Sequence, residues 1–147
     1  MNGIRTAGPA RAPIGAAASV AGTTLADVSR ARDLTRAFCD ELAPAPAPDE
    51  EDALLLVVSE LVTNALRHGG GSYVLRLLAS PEALTVEVDD GEPRPPQARD
   101  PDVWRGGGFG WHLVRSLAPG GVSVVPRPGG KTVRAVLPRE AGVDRAA

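Results

Sequence analysis

The sequence predicts a two-layer α+β sandwich, with a mixed, mostly antiparallel sheet and helices on one face. Three observations predict it. Two amphipathic helical stretches precede the strands. The strands then come in tightly linked consecutive pairs, which favours antiparallel pairing. Each strand also needs one covered face, and the helices supply the second layer. The 147 residues suit one domain with a real core. Aromatic residues make up only 3% of the chain, so Leu, Val and Ala must build that core.

Each element follows in order. Residues 1–22 are rich in Ala, Gly and Pro and read as a flexible N-terminal arm, with room for a short strand at 18–21. A globular domain is expected over 23–139 and a flexible tail over 140–147. The first helix carries Leu25, Val28, Ala31, Leu34, Phe38 and Leu42 as its stripe, with Thr24 or Asp27 available as cap. "PAPAPDEED" stops it and starts the next, placing Pro48 and three acids at the positive end of a helix that runs from Asp49 to His68. Gly69-Gly70-Gly71 ends that helix.

"SYVLRLLAS" and "ALTVEVDD" read as two strands, the second alternating through Leu84, Val86 and Val88. "GEPRPPQARDPDVWRGGG" follows, a long stretch of Pro, Gly and charge of the kind used as a lid or binding loop. Arg94, Arg99 and Arg105 lie on it and are expected to be solvated. "FGWHLVRSLAP" resumes as a short helix, and a hairpin across Pro128-Gly129-Gly130 closes the domain.

Composition excludes several function classes. Charged residues form 23% of the chain and the net charge is −2, without a basic block, so there is no electrostatic footprint for nucleic acid. No run approaches the ~18 apolar residues of a membrane span. The single cysteine, Cys39, excludes an internal disulfide and fits a reducing compartment, so a cytoplasmic location is expected. Its neighbours Phe38 and Leu42 point to a packing role.

Three features carry chemistry. "SELVTNALRHGG" sets Glu60, Asn64 and His68 in one row of a helix whose other side is apolar. Asp89-Asp90-Gly91 ends the alternating strand where the long loop begins. Because Val86 and Val88 face the core, Asp90 faces inward with them and Asp89 away. Gly106 through Gly108, with Gly110, open a helix whose free amides suit an anion such as phosphate.

In that order, "VVSELVTNALRHG", "LTVEVDDGEPRPP", "GGGFGWHLVRSLA" and "GGKTVRAVLP" resemble the Bergerat-type (GHKL) ATP-binding domain. The resemblance is closer to its small single-domain branch, the anti-sigma factor serine/threonine kinases. The resemblance covers residues 24–138. It implies ATP and magnesium as cofactors. Asn64 matches the magnesium ligand, and Glu60 the acid one turn before it, the general base. Asp90 matches the aspartate that accepts from the adenine amino group. Gly108 and Gly110 match the glycine box beneath the phosphates. Thr132 matches the hydroxyl residue that supports the adenine-binding aspartate, and His68 either faces the phosphates or caps its helix.

The chain departs from the pattern in two places. After Asp90 it reads Gly91-Glu92-Pro93-Arg94 rather than Asp-x-Gly-x-Gly, and Trp111 stands where leucine is usual. The implied function is a regulatory kinase that phosphorylates a small antagonist protein and sequesters a sigma factor. The alternative is a protein-binding module with little or no nucleotide chemistry. The resemblance also allows a homodimer.

Overall fold

The computed structural model describes residues 16–94 and 108–140. In chain order they form β1 (Ala16–Gly22), α1 (Asp27–Asp40), α2 (Pro48–His68), β2 (Tyr73–Ala79), β3 (Ala83–Asp90), α3 (Gly108–Leu117), β4 (Val122–Arg127) and β5 (Gly130–Pro138). The strands make one sheet in the order β1-β2-β3-β5-β4. Every pairing in it is antiparallel, within the mixed, mostly antiparallel sheet that the sequence predicts. The reason is the return path: after α3 the chain enters β4 and turns back through a tight hairpin, so β5 meets β3 head to tail.

The N-terminal segment holds the main difference from the sequence reading. Instead of a flexible arm to residue 22 with a short strand at most, Ala16–Gly22 pairs along the whole of β2. Small residues suit this edge, because Gly22 lies opposite Tyr73 and leaves room for its ring.

The helix α1 is held at its start by Asp27, one of the two residues expected to cap it. The Asp27 carboxylate reaches back to accept from the Thr23 and Thr24 amides at 2.8 and 3.0 Å. The N-cap position itself is Ala26, without a side-chain bond. At the start of α2, Glu50 accepts from the Ala47 amide at 2.9 Å, and Pro48 occupies the first turn. Gly69 closes the helix with a bond from its amide to the Ala65 carbonyl, and Gly70 and Gly71 continue at φ 95° and 87°.

Strand alternation sorts the sheet into two faces. Leu75, Leu77, Leu84, Val86, Val88, Val133, Ala135 and Leu137 are buried beneath the helices. They meet Leu54, Val57, Val58, Leu61, Val62 and Ala65 of α2, with Trp111 and Val114 of α3 and Phe38 of α1. This is the Leu/Val/Ala core that the scarcity of aromatics requires. Cys39 is buried within it, and desolvation pushes its thiol up to about 12, so it packs rather than reacts. The helix-free face carries ionic links instead: Arg76 to Glu87 and Asp89, Arg134 to Glu87, and Arg127 to Asp89. No described helix is long and apolar enough to cross a membrane.

Candidate functional site

The row on α2 is positioned by helix geometry alone. Four-residue steps advance about 40° round a helix, so a row drifts as it climbs. Glu60 and Asn64 are half-buried beside the buried Leu61 and Ala65. By His68 the drift has carried the side chain toward the packed side. Its Nε2 is fully enclosed and has no hydrogen-bond partner among the described residues. Such an orphan is costly unless a ligand or water satisfies it, so His68 stays among the candidate site residues. Burial pushes the Glu60 carboxyl above its ordinary value, with Arg67 opposing, which suits a proton acceptor.

The end of β3 meets the end of α2. Asp90 lies on the helix-covered face, as the alternation predicts, and is 7% exposed. Its Oδ2 lies so close to Gly69 that a Cβ there would stand 2.6 Å away. The Gly91 amide donates to the Gly69 carbonyl at 2.8 Å, tying strand end to helix end. The Glu92 amide donates to Asp90 Oδ1 at 2.9 Å. This is a glycine cradle around a buried carboxylate.

One expected partner is corrected. Thr132 does not reach Asp90; its hydroxyl donates to Asp89 Oδ1 at 2.6 Å on the helix-free face. The register explains it, since Asp89 pairs with Thr132 and Asp90 with Lys131. Residues 131, 133, 135 and 137 share the inward face, so the residue that meets Asp90 is Lys131. Its Nζ lies 3.0 Å from Oδ2 and 3.1 Å from Oδ1, and donates to the Glu92 carbonyl at 2.8 Å. Lys131 is missing from the sequence reading, although period-two alternation back from Val133 would have found it. The Asp89 carboxyl is held below its ordinary value, chiefly by its Arg76 hydrogen bonds.

Gly108 and Gly110 form the first turn of α3, where main-chain amides lack intrahelical partners. The helix packs against α2, with Trp111 and Val114 buried. Trp111 is thus core, with the Arg115 guanidinium 5.7 Å from its ring centre. Of the expected lid, Arg94 pairs with Glu92 at 3.0 Å. Arg99, Arg105 and the rest of 95–107 lie outside the described residues. A shallow depression lined by Ala17, Leu78, Thr85 and Val136 lies on the other side of the sheet from Asp90.

These residues fit a nucleotide. A buried acceptor in a glycine cradle suits a base, an orphaned imidazole nitrogen and the start of α3 suit phosphate, and the Asn64 amide oxygen suits a hard cation.

Comparison with known proteins agrees. Residues 22–137 match the family model of the histidine kinase-like ATPase domain. The RsbU and RsbW domains of Rv1364c from Mycobacterium tuberculosis share the fold, with a TM-score of 0.57 at 19% identity over 83% of this chain and 32% of that one. So does the blue-light activated histidine kinase EL346 of Erythrobacter litoralis, with a TM-score of 0.52 at 24% identity over 80% of this chain and 42% of that one. The chain therefore spans less than half the length of either solved protein. No curated protein matches it.

Proposed function

The chain belongs to the histidine kinase-like ATPase domain family, and from that premise we propose that it is an ATP-binding regulatory protein. In this reading it is an anti-sigma factor with serine/threonine kinase activity toward a small antagonist protein. The observation that carries the nucleotide reading is that the end of α2, the helix bearing the Glu60–Asn64–His68 row, meets the buried Asp90 carboxylate at Gly69. Asp90 takes the adenine amino group, and the first-turn amides of α3 at Gly108 and Gly110 take phosphate oxygens. Asn64 holds magnesium, which supplies charge neutralisation on the phosphates when bound. Glu60 orients the attacking hydroxyl and takes its proton, a task its upward-shifted carboxyl suits. Phosphoryl transfer asks mainly for such positioning and neutralisation.

The kinase class and the sigma-factor partner rest on the resemblance in sequence motifs; the RsbW domain in a structural neighbour lends support at the level of fold. A second reading, a protein-docking module with weak nucleotide binding, is favoured by one feature: Asp90 already has a counterion in Lys131. Incubation of the full chain with labelled ATP, magnesium and candidate antagonist proteins separates the two. Label on serine or threonine of an antagonist supports the kinase. Antagonist or sigma-factor binding without label, and without heat on titration with millimolar ATP, supports the module.

A further inference from the structure

Lys131 is 4% exposed, a burial that an ammonium tolerates only when its charge and its N–H groups are met. The pairing with Asp90 does that, yet an apolar pair of similar volume would serve packing equally well. The pair's remaining valences suggest what it is for. Nζ stands nearly equidistant from the two Asp90 oxygens, so one N–H serves both, and a second goes to the Glu92 carbonyl. The third has no acceptor among the described residues. A carboxylate offers about four acceptor positions, and the Glu92 amide and Lys131 do not exhaust those on Asp90. One acceptor and one N–H donor therefore stand side by side, both charge-assisted and both shielded from water.

We propose that Lys131 reads the nucleobase together with Asp90, donating to the ring nitrogen next to the amino group that Asp90 accepts from. This inference rests on the reading that Asp90 receives the base. The complementary edge is an amino group beside an unprotonated ring nitrogen, which adenine presents at N6 and N1. Lys131 then has two roles at one position. In the free protein it neutralises Asp90, and with base bound it sets specificity. That removes the apparent conflict between an engaged carboxylate and a base-binding one, because the ammonium need not leave.

The test compares ATP with 1-deaza-ATP, in which a CH group replaces the ring nitrogen, by calorimetric titration of the full chain with magnesium. A charge-assisted hydrogen bond lost on one ligand predicts that the wild type binds ATP about 10- to 100-fold more tightly than 1-deaza-ATP. Lys131→Met should bind the two ligands equally, and Lys131→Gln, which keeps an N–H donor, should retain a smaller preference. Equal affinity of the wild type for both ligands overturns the proposal, and that result needs no variant to fold. Undiminished preference in Lys131→Met, with its fold confirmed by circular dichroism, also overturns it. Failure of the wild type to bind ATP at all overturns the nucleotide reading itself, a result distinct from binding without discrimination.

Discussion

Glu60 and Asn64 sit one helical turn apart, but their chemistry separates cleanly on substitution. Asn64→Ala removes a hard oxygen ligand, so ATP affinity in the presence of magnesium should fall. Glu60→Gln keeps shape and removes the proton acceptor, so ATP binding should persist while transfer slows by roughly 10²–10⁴-fold. Stopped-flow binding and single-turnover transfer measure the two effects apart. The pH profile adds a second readout. Burial raises the Glu60 carboxyl in the folded protein, so its proton leaves at higher pH than in the unfolded chain. Transfer should therefore climb with pH through that raised value, and Glu60→Gln should lose this limb. An acid limb of unchanged position in Glu60→Gln would assign the titration elsewhere. At this scale the sequence was readable where periodicity was applied. Alternation along β3 placed Asp90 inward and Asp89 outward. On β5 the family resemblance drew the choice to Thr132, while the same alternation, counted from Val133, names Lys131.

Among the elements, the glycines at the end of α2 do two different physical jobs. Gly69 has φ −109°, open to any residue, but its Cα lies against the Asp90 carboxylate. Gly71 has φ 87°, which side-chain-bearing residues avoid, but nothing lies within 4 Å of where a Cβ would stand. Gly69→Ala should therefore lower stability by about 1–3 kcal/mol through overpacking and also weaken ATP binding, since Asp90 must move. Gly71→Ala should cost about 1–2 kcal/mol through backbone strain and leave ATP affinity unchanged. Thermal unfolding with ATP titration on both variants checks this, and equal loss of affinity in the two would mean that Asp90 is not held by Gly69. At the same end of the sheet, on β1, Gly22→Ala should destabilise in the manner of Gly69→Ala, because its Cβ would meet the Tyr73 ring at 2.6 Å. The triple glycine stop, the long helix before it and the final hairpin were all legible, because each is local backbone chemistry. Strand β1 was harder to read. Its seven residues are mostly alanine and glycine, which carry little strand preference, and its identity comes from pairing with β2, a contact about sixty residues away in the chain.

For the molecule as a whole, the depressed carboxylates set how stability should respond to acid. Asp27 joins the β1–α1 turn to its helix and is lowered from 3.8 to about 2, first by the Thr23 amide and then by the Thr24 amide. Asp89 ties β3 to β2 and to β5 across the helix-free face through Arg76 and Thr132, and is lowered chiefly by Arg76. A carboxylate whose folded pKa lies below its unfolded value contributes stability that is full above the unfolded value. That contribution is lost as pH falls through the folded one. For Asp27 the window runs from about 4 down to about 2, and Asp89 acts in the same direction. Glu60 has the opposite sign: its raised carboxyl favours the protonated folded state, so acidification through its own range relieves a buried charge. These two carboxylates, one holding the β1–α1 turn and one the helix-free face of the sheet, should outweigh it. Urea midpoints should hold above pH 5 and fall steadily from pH 4 to pH 2. Asp27→Asn should lower the midpoint at pH 7 and flatten its acid dependence, because the variant no longer has that proton to bind. Asp89→Asn should do the same through loss of the Arg76 link. An Asp27→Asn variant with wild-type acid slope would mean that the turn amides are satisfied without the charge, and that acid acts on the sheet face alone.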